Sequence, residues 1–387
     1  MIEVADVFRA FADGYLSAHG AAMPSWHRRA IADILACRTE ALGGHLWRCD
    51  RCSHEVFAYH SCKNRSCPKC HTRQTAQWLE ARKAEMLPTS YFHVVVTVPQ
   101  ELRALLRANQ RDGYGLLMKA AADAIIELAR DRRFVGGTVG VLAVLHTWTQ
   151  QLAYHPHVHC LVTGGGASAN GRDWHPARGA FLVPHKALAR RVRGKLKAAL
   201  AHKRPDLVAP SAAWTKPWVV HIAHWGEGAE AVLRYLARYV FRTAITNTRI
   251  VTLDQRSVTI RYKHRKSSCW QTCTLPDHEF MRRFLQHVLP AGLHKVRYFG
   301  LWHHSKRHLA AQARLLLEFD RPAAPALSSK PELLSKAAAA PADLNAAAQS
   351  VANSSEASTS AQPRICPCCR LGHLIHIRRL PKNPLGP

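Results

Sequence analysis

The chain has 387 residues, 47% of them hydrophobic, enough for two or three compact cores. Lys and Arg number 54 against 26 Asp and Glu, and a formal net charge of +28 points to a polyanionic partner, of which nucleic acid is the usual one. No apolar run reaches membrane-spanning length, and Glu3 and Asp6 stand where a signal peptide would be basic, so the expected setting is cytoplasmic and the 12 cysteines are expected as metal ligands or core residues rather than disulfides.

Residues 1–44 read as a helical N-terminal segment, with Val4, Val7, Phe8 and Phe11 at helical spacing and a second apolar pattern through "IADILA". Residues 45–75 are poor in apolar side chains and rich in Cys and His. Here Cys49-x-x-Cys52 and Cys67-x-x-Cys70 each present two thiolates from a tight knuckle, and four thiolates make a tetrahedral zinc set. The interval between the pairs is slightly short of the usual ribbon spacing. Cys62 is a spare donor able to exchange into that site. Lys63, Arg65, Lys69 and Arg73 are interleaved, so a DNA-contacting module and a purely structural zinc anchor both fit.

Residues 76–320 change texture. "YFHVVVTV" reads as a strand, and "PQELRALLRANQRDGYGLLMKAAADAIIELARD" as helix with a break near Asp112-Gly113. "VGVLAVLHTW", "HPHVHCLVTGG" and "WVVHIAH" read as strands, and "RIVTLDQRSVTIRYKH" as a hairpin. Helical patterns fill 185–202, 227–243, 276–289 and 304–318. Consecutive strands mixed with helices give an α+β class, an antiparallel sheet covered by helices on one side. Residues 321–363 are rich in Ala, Pro and Ser and read as a flexible linker. The basic tail, 364–387, holds Cys366, Cys368 and Cys369, which read equally as half a metal site that His373 or His376 would complete or as a cysteine cluster in a disordered tail.

Two stretches carry chemistry. In "YHPHVHCLV", His155, His157 and His159 project from one face of a strand, while Val158, Cys160 and Val162 back onto a core. That is a platform for a metal, although a half-buried strand with hydrogen-bonded histidines has the same pattern. In "GAEAVLRYLARYVFRT", Ala229, Leu233, Leu236 and Val240 form an apolar helix centre with Tyr235 and Tyr239 together on its margin. Arg238 and Arg242 lie just beyond as candidate phosphate contacts. A metal on the histidines would polarise a phosphodiester, and a nearby cation would favour the phenolate over the phenol.

His157-Val158-His159 resembles the histidine-hydrophobe-histidine motif of the HUH single-strand endonucleases, and Tyr235-x-x-x-Tyr239 resembles their two-tyrosine version. With "SCKNRSCPKC" ahead of them and "YLARYVFRTAI" after, residues 40–310 are similar to the insertion-sequence ninety-one family of rolling-circle transposases. The resemblance implies an RRM-like antiparallel HUH sheet with packed helices, preceded by a small zinc-ribbon-like module. It implies Tyr235 and Tyr239 as nucleophiles forming a 5′-phosphotyrosine, and His157 and His159 as ligands of Mg²⁺ or Mn²⁺. Structural Zn²⁺ would sit on Cys49, Cys52, Cys67 and Cys70. His155 is the candidate third ligand of the catalytic ion and His146 the runner-up. The implied partners are single-stranded insertion-sequence ends and host replication proteins. A replication initiator or relaxase would share this chemistry, and a non-catalytic zinc-dependent DNA-binding protein is the rival from another class. A nucleic-acid deaminase needs an H-x-E arrangement that "HPHVH" lacks.

Overall fold

The computed structural model describes residues 1–70, 72–83, 85–225, 240, 243–264, 267–319 and 364–383. Two helices open the chain, α1 (Val4–His19) and α2 (Ser25–Leu35). Glu3 and Asp6 form a reciprocal capping box at the start of α1, satisfying amides that a helix end leaves unpaired. A hairpin of β1 (Gly44–Cys49) and β2 (Glu55–Tyr59) follows, then α3 (Thr72–Lys83), β3 (Tyr91–Thr97), α4 (Arg103–Ala108) and α5 (Gln110–Ala129). The expected helix break falls at Asn109, not at Asp112-Gly113. Gly113 lies inside α5, where the Cδ2 of Leu106 comes within 2.7 Å of the point a Cβ would occupy. The glycine therefore marks close packing of α4 on α5 rather than a stop.

The strands β4 (Gly140–Trp148) and β5 (Tyr154–Thr163), the short pair β6 (Gly165–Ala167) and β7 (Trp174–Pro176), then α6 (His185–Lys203), α7 (Ala212–Thr215) and β8 (Val219–Trp225) complete the middle of the chain. After them come β9 (Ile250–Leu253), β10 (Ser257–Lys263), β11 (Trp270–Pro276), α8 (Asp277–Leu285), β12 (Val296–Gly300) and α9 (Arg307–Phe319). The tail supplies β13 (Leu374–Leu380).

The main sheet runs β12-β4-β5-β3-β8, every neighbouring pair antiparallel. Alternation gives it two different faces. Val94, Val96, Val141, Ala143, Leu145, Val158, Cys160 and Val162 enter one core with Leu106, Leu117, Ile125, Leu188, Val192 and Leu196 of the helices. On the opposite face Tyr91, Leu142, Val144 and Leu161 are covered by Met86 and Val240, with Trp78 and Leu79 of α3 packed alongside. The sheet is thus covered on both faces, where one-sided cover was expected. The histidines occupy the end of this second face.

A further core joins the N-terminal helices to the later chain. Phe8, Ile31 and Ile34 pack with Ile260, Leu275, Phe280 and Phe284, and the Phe8 and Phe284 rings meet edge-on at 5.1 Å. The expected hairpin at 249–264 extends to a three-stranded sheet, β11-β10-β9, beneath these helices. Among the described residues no helix is long and apolar enough to cross a membrane.

His287 sits inside this region. Its Nε2–H donates to the Leu152 carbonyl at 3.0 Å, so its Nδ1 accepts from the Thr147 hydroxyl at 3.0 Å. Burial pushes its pKa down to about 3, with Arg107 and Arg282 adding to the effect, and burial pushes His27 down to about 4. Both bind a proton more readily unfolded than folded. Their contribution is therefore complete above the unfolded value near 6.5 and is lost as pH falls toward 4. Unfolding free energy measured in urea should drop between pH 7 and 5, and His287→Gln should remove about 2 kcal/mol of that drop. An unchanged acid limb in the variant would refute the neutral buried ring.

Candidate metal centres and catalytic site

On β5 the period-two pattern aims His157, His159 and Leu161 at one face. The antiparallel register then sets His146 of β4 directly opposite His157, and Val144 opposite His159. Ring centroids lie 4.6 Å apart for His146–His159, 4.8 Å for His157–His159 and 5.6 Å for His146–His157. One nitrogen from each ring falls within 4.8 Å of the others. His146 and His159 are only 3% and 7% exposed, so the donors are held rather than solvated.

Neighbouring groups fix which nitrogen each ring offers. The Nδ1–H of His157 donates to the His155 carbonyl at 2.7 Å, leaving Nε2 with its lone pair. The Nδ1 of His159 lies 2.9 Å from the Nε2 of His93, a buried ring on β3 whose pKa burial lowers to about 4. With His93 neutral and accepting, His159 also keeps Nε2 for a ligand. Burial likewise pushes the His157 pKa down. His146 stacks on Trp148 at 4.5 Å, which orients it. Three imidazoles with converging nitrogens fit a divalent transition ion.

His155, expected as the third donor, is not one of this trio. It shares the strand face, but its Nδ1 accepts from an Arg103 guanidinium at 2.8 Å. His146 takes the third place in the trio, its ring reaching within 4.6 Å of His159 across the strands. Tyr235, Tyr239, Arg238 and Arg242 lie outside the described residues. Val240, the next residue after Tyr239, is buried with Leu142, Val144 and Leu161 on the histidine face of the sheet.

The cysteines divide differently from the expected Cys49, Cys52, Cys67 and Cys70. Cys37, Cys62, Cys67 and Cys70 converge in one group, and Cys49 and Cys52 join Cys366 and Cys369 in another. The β1–β2 hairpin explains the split. Cys49 and Cys52 stand at its turn, whereas Cys62 and the 67–70 knuckle follow the opposite end of β2, about 17 Å away for five extended residues. The boundary expected at residue 44 accordingly falls within a thiol cluster that uses Cys37.

In the first group the Sγ atoms of Cys37 and Cys62 each lie 3.6 Å from that of Cys70. Tetrahedral zinc with bonds of ~2.3 Å places its sulfurs about 3.8 Å apart, so the donor set fits the ion. Cys37 and Cys67 are buried, and the loop is anchored by Lys69 to Glu3 at 2.7 Å and Asn64 to Asp33 at 2.9 Å. Arg65 donates to the carbonyls of Leu289, Pro290 and Leu293, joining this loop to the segment before β12.

Comparison with known proteins gives two family models along the chain. Residues 7–98 match a "Transposase zinc-binding domain" of the insertion-sequence ninety-one type, and residues 140–309 match a model described as "Putative transposase". A Sinorhizobium fredii protein named "Putative transposase y4qJ" is 36% identical over 97% of this chain and 94% of its own length. The "Transposase for insertion sequence element IS801" of Pseudomonas savastanoi pv. phaseolicola is 28% identical over 70% of this chain and 68% of its own. No solved structure matches.

Proposed function

Because the chain belongs to the insertion-sequence ninety-one family of transposases and carries their N-terminal zinc-binding domain, we propose that it nicks and rejoins single-stranded DNA at the ends of its own element. The observation that carries this reading is the convergence of His146, His157 and His159 on an antiparallel sheet whose same face buries Val240, beside the tyrosine pair in sequence. This supports reading the sheet as the RRM-like HUH platform that the motifs imply. Three imidazole nitrogens, with no carboxylate among the described residues completing the group, favour Mn²⁺ over Mg²⁺, which prefers oxygen ligands. When bound, the ion supplies Lewis-acid polarisation of the scissile phosphodiester.

The chain's own residues do the remainder. Tyr235 or Tyr239 loses its phenolic proton and its Oη attacks phosphorus. The bond to the 3′-oxygen breaks, leaving a 3′-hydroxyl and a 5′-phosphotyrosine that conserves the bond energy for rejoining. A second tyrosine permits a second cleavage before the first strand is released. The excess positive charge holds the DNA. A groove of about 1060 Å³ beside α1 and α2 is lined by Arg107 and Arg111, and by Arg204 and Arg282, which are paired with Asp112 and Glu279.

The test is incubation of the protein with single-stranded oligonucleotides carrying the element's end and Mn²⁺. A DNA–protein adduct that survives denaturation is expected. Tyr235→Phe with Tyr239→Phe should eliminate the adduct while leaving binding, read by anisotropy, within about twofold. Cleavage that persists in the double variant would sink the proposal.

A further inference from the structure

Cys49, Cys52, Cys366 and Cys369 fall outside the histidine centre and outside the zinc group at Cys37. We propose that they form a second structural zinc site, which latches the C-terminal tail onto the N-terminal hairpin and makes β13 a metal-dependent strand of it. The Sγ atoms pair across the two segments, Cys49 with Cys369 at 3.7 Å and Cys52 with Cys366 at 3.6 Å. Those separations again match tetrahedral zinc–thiolate geometry of about 3.8 Å between sulfurs.

Both pairs are C-x-x-C knuckles built alike. Backbone amides of Arg51 and Cys52 point at the Cys49 sulfur at 3.4 and 3.5 Å, and Cys368 points at Cys366 at 3.4 Å. The Gly372 amide lies 3.3 Å from the Cys369 sulfur. Amides aimed at sulfur stabilise thiolates rather than thiols. The residue after each knuckle, Ser53 and Arg370, takes a left-handed turn with φ of 55° and 57°. Such turns are costly for residues with a Cβ, and a shared ion is what repays two of them together.

Gly372 gives an independent reason. A Cβ there would lie 2.6 Å from the Cys49 sulfur and 2.5 Å from an Asp50 carboxylate oxygen. The tail backbone is thus pressed onto the first knuckle, held by His373 N–H donating to Asp50 at 2.8 Å and Asp50 N–H donating to the His373 carbonyl at 3.0 Å. From there β13 runs antiparallel to β1 through Leu374–Cys49 to Leu380–Gly44. Its outward residues, Ile375 and Ile377, are 53% and 44% exposed, so packing contributes little to holding the strand. The ion holds it, closing a loop between cysteines 314 positions apart. Chelation or thiol oxidation would release the tail.

Cobalt(II) substitution in the full chain tests this, because the thiolate-to-cobalt band reports only sulfur-bound metal and ignores the histidine centre. Titration of the apoprotein should saturate that band at two equivalents per chain. Cys366→Ser with Cys369→Ser should halve it and should abolish hydrogen-exchange protection of residues 374–380. Cys368→Ser, which changes an exposed cysteine outside the group, should leave both unchanged. Saturation at one equivalent in the unmodified chain would overturn the proposal, and this reading does not depend on any variant folding. Its failure would leave the nicking assay untouched.

Discussion

Alanine at His157, His159 or His146 is expected to lower the proposed Mn²⁺-dependent strand cleavage roughly 10³-fold, the effect of losing about 4 kcal/mol of transition-state stabilisation by the ion. The three changes should be nearly equivalent, because each removes one nitrogen from the same converging trio. Direct Mn²⁺ titration should show the loss as weakened binding, which separates it from a change in the chemical step. His155→Ala is the internal contrast. Its Nδ1 is engaged by Arg103, so Mn²⁺ affinity should stay within about tenfold of the parent, below the usual effect of losing a ligand. His93→Ala should fall between, weakening Mn²⁺ about 10–100-fold, since it removes only the acceptor that fixes the His159 tautomer. A His155→Ala variant that loses the ion while His146→Ala retains it would reverse the ligand assignment.

The contrast between His146 and His155 also shows what the sequence could carry. A period of two within one strand is visible in the residues, so His157, His159 and the apolar backing of Val158, Cys160 and Val162 were legible. The register between β4 and β5 was not. It depends on the turn between Trp148 and Tyr154 and on a shift in pairing between His146 and Trp148, neither of which a pattern of apolar residues encodes. His93 was hidden for the same reason, lying on β3 inside an apolar run. The helical N-terminus, the strands β3, β4, β5, β8, β9 and β10 and the three described helices at 185, 277 and 307 were recoverable from periodicity, whereas β6, β7, β11 and β12 were not read. The strands β1, β2 and β13 were not, because they are short, half-exposed and stabilised by knuckles instead of an apolar face. The cysteines were recognised as ligands from their knuckle spacing, yet nearness in sequence grouped them wrongly. The clue that would have corrected them is Cys366-x-x-Cys369, a third knuckle of the same spacing, which leaves Cys37 and Cys62 to complete the 67–70 pair.

The two thiol centres should differ sharply in what they support, and Cys67→Ser is the change expected to cost most stability. Cys67 is fully buried and Cys37 nearly so, in the core that also holds Phe8, Ile31, Phe280 and Phe284. Releasing this ion frees the 62–70 loop, withdraws Arg65 from the Leu289, Pro290 and Leu293 carbonyls, and opens apolar surface of α1, α2 and α8. Structural zinc contributes folding free energy directly, so a loss of about 4–5 kcal/mol is expected, which for a chain of this length is a fall in Tm of about 5–6 °C. The surface latch at Cys366 should cost much less, because its strand covers little apolar area. Nicking should suffer with Cys67 as well, since Leu152 and Trp148, which flank the turn between the two histidine strands, pack on the same core. Calorimetry of the two variants side by side decides the matter. Equal shifts, or a Cys67→Ser melt within about 2 °C of the parent, would mean that the buried centre is not what secures the N-terminal helices to the main sheet.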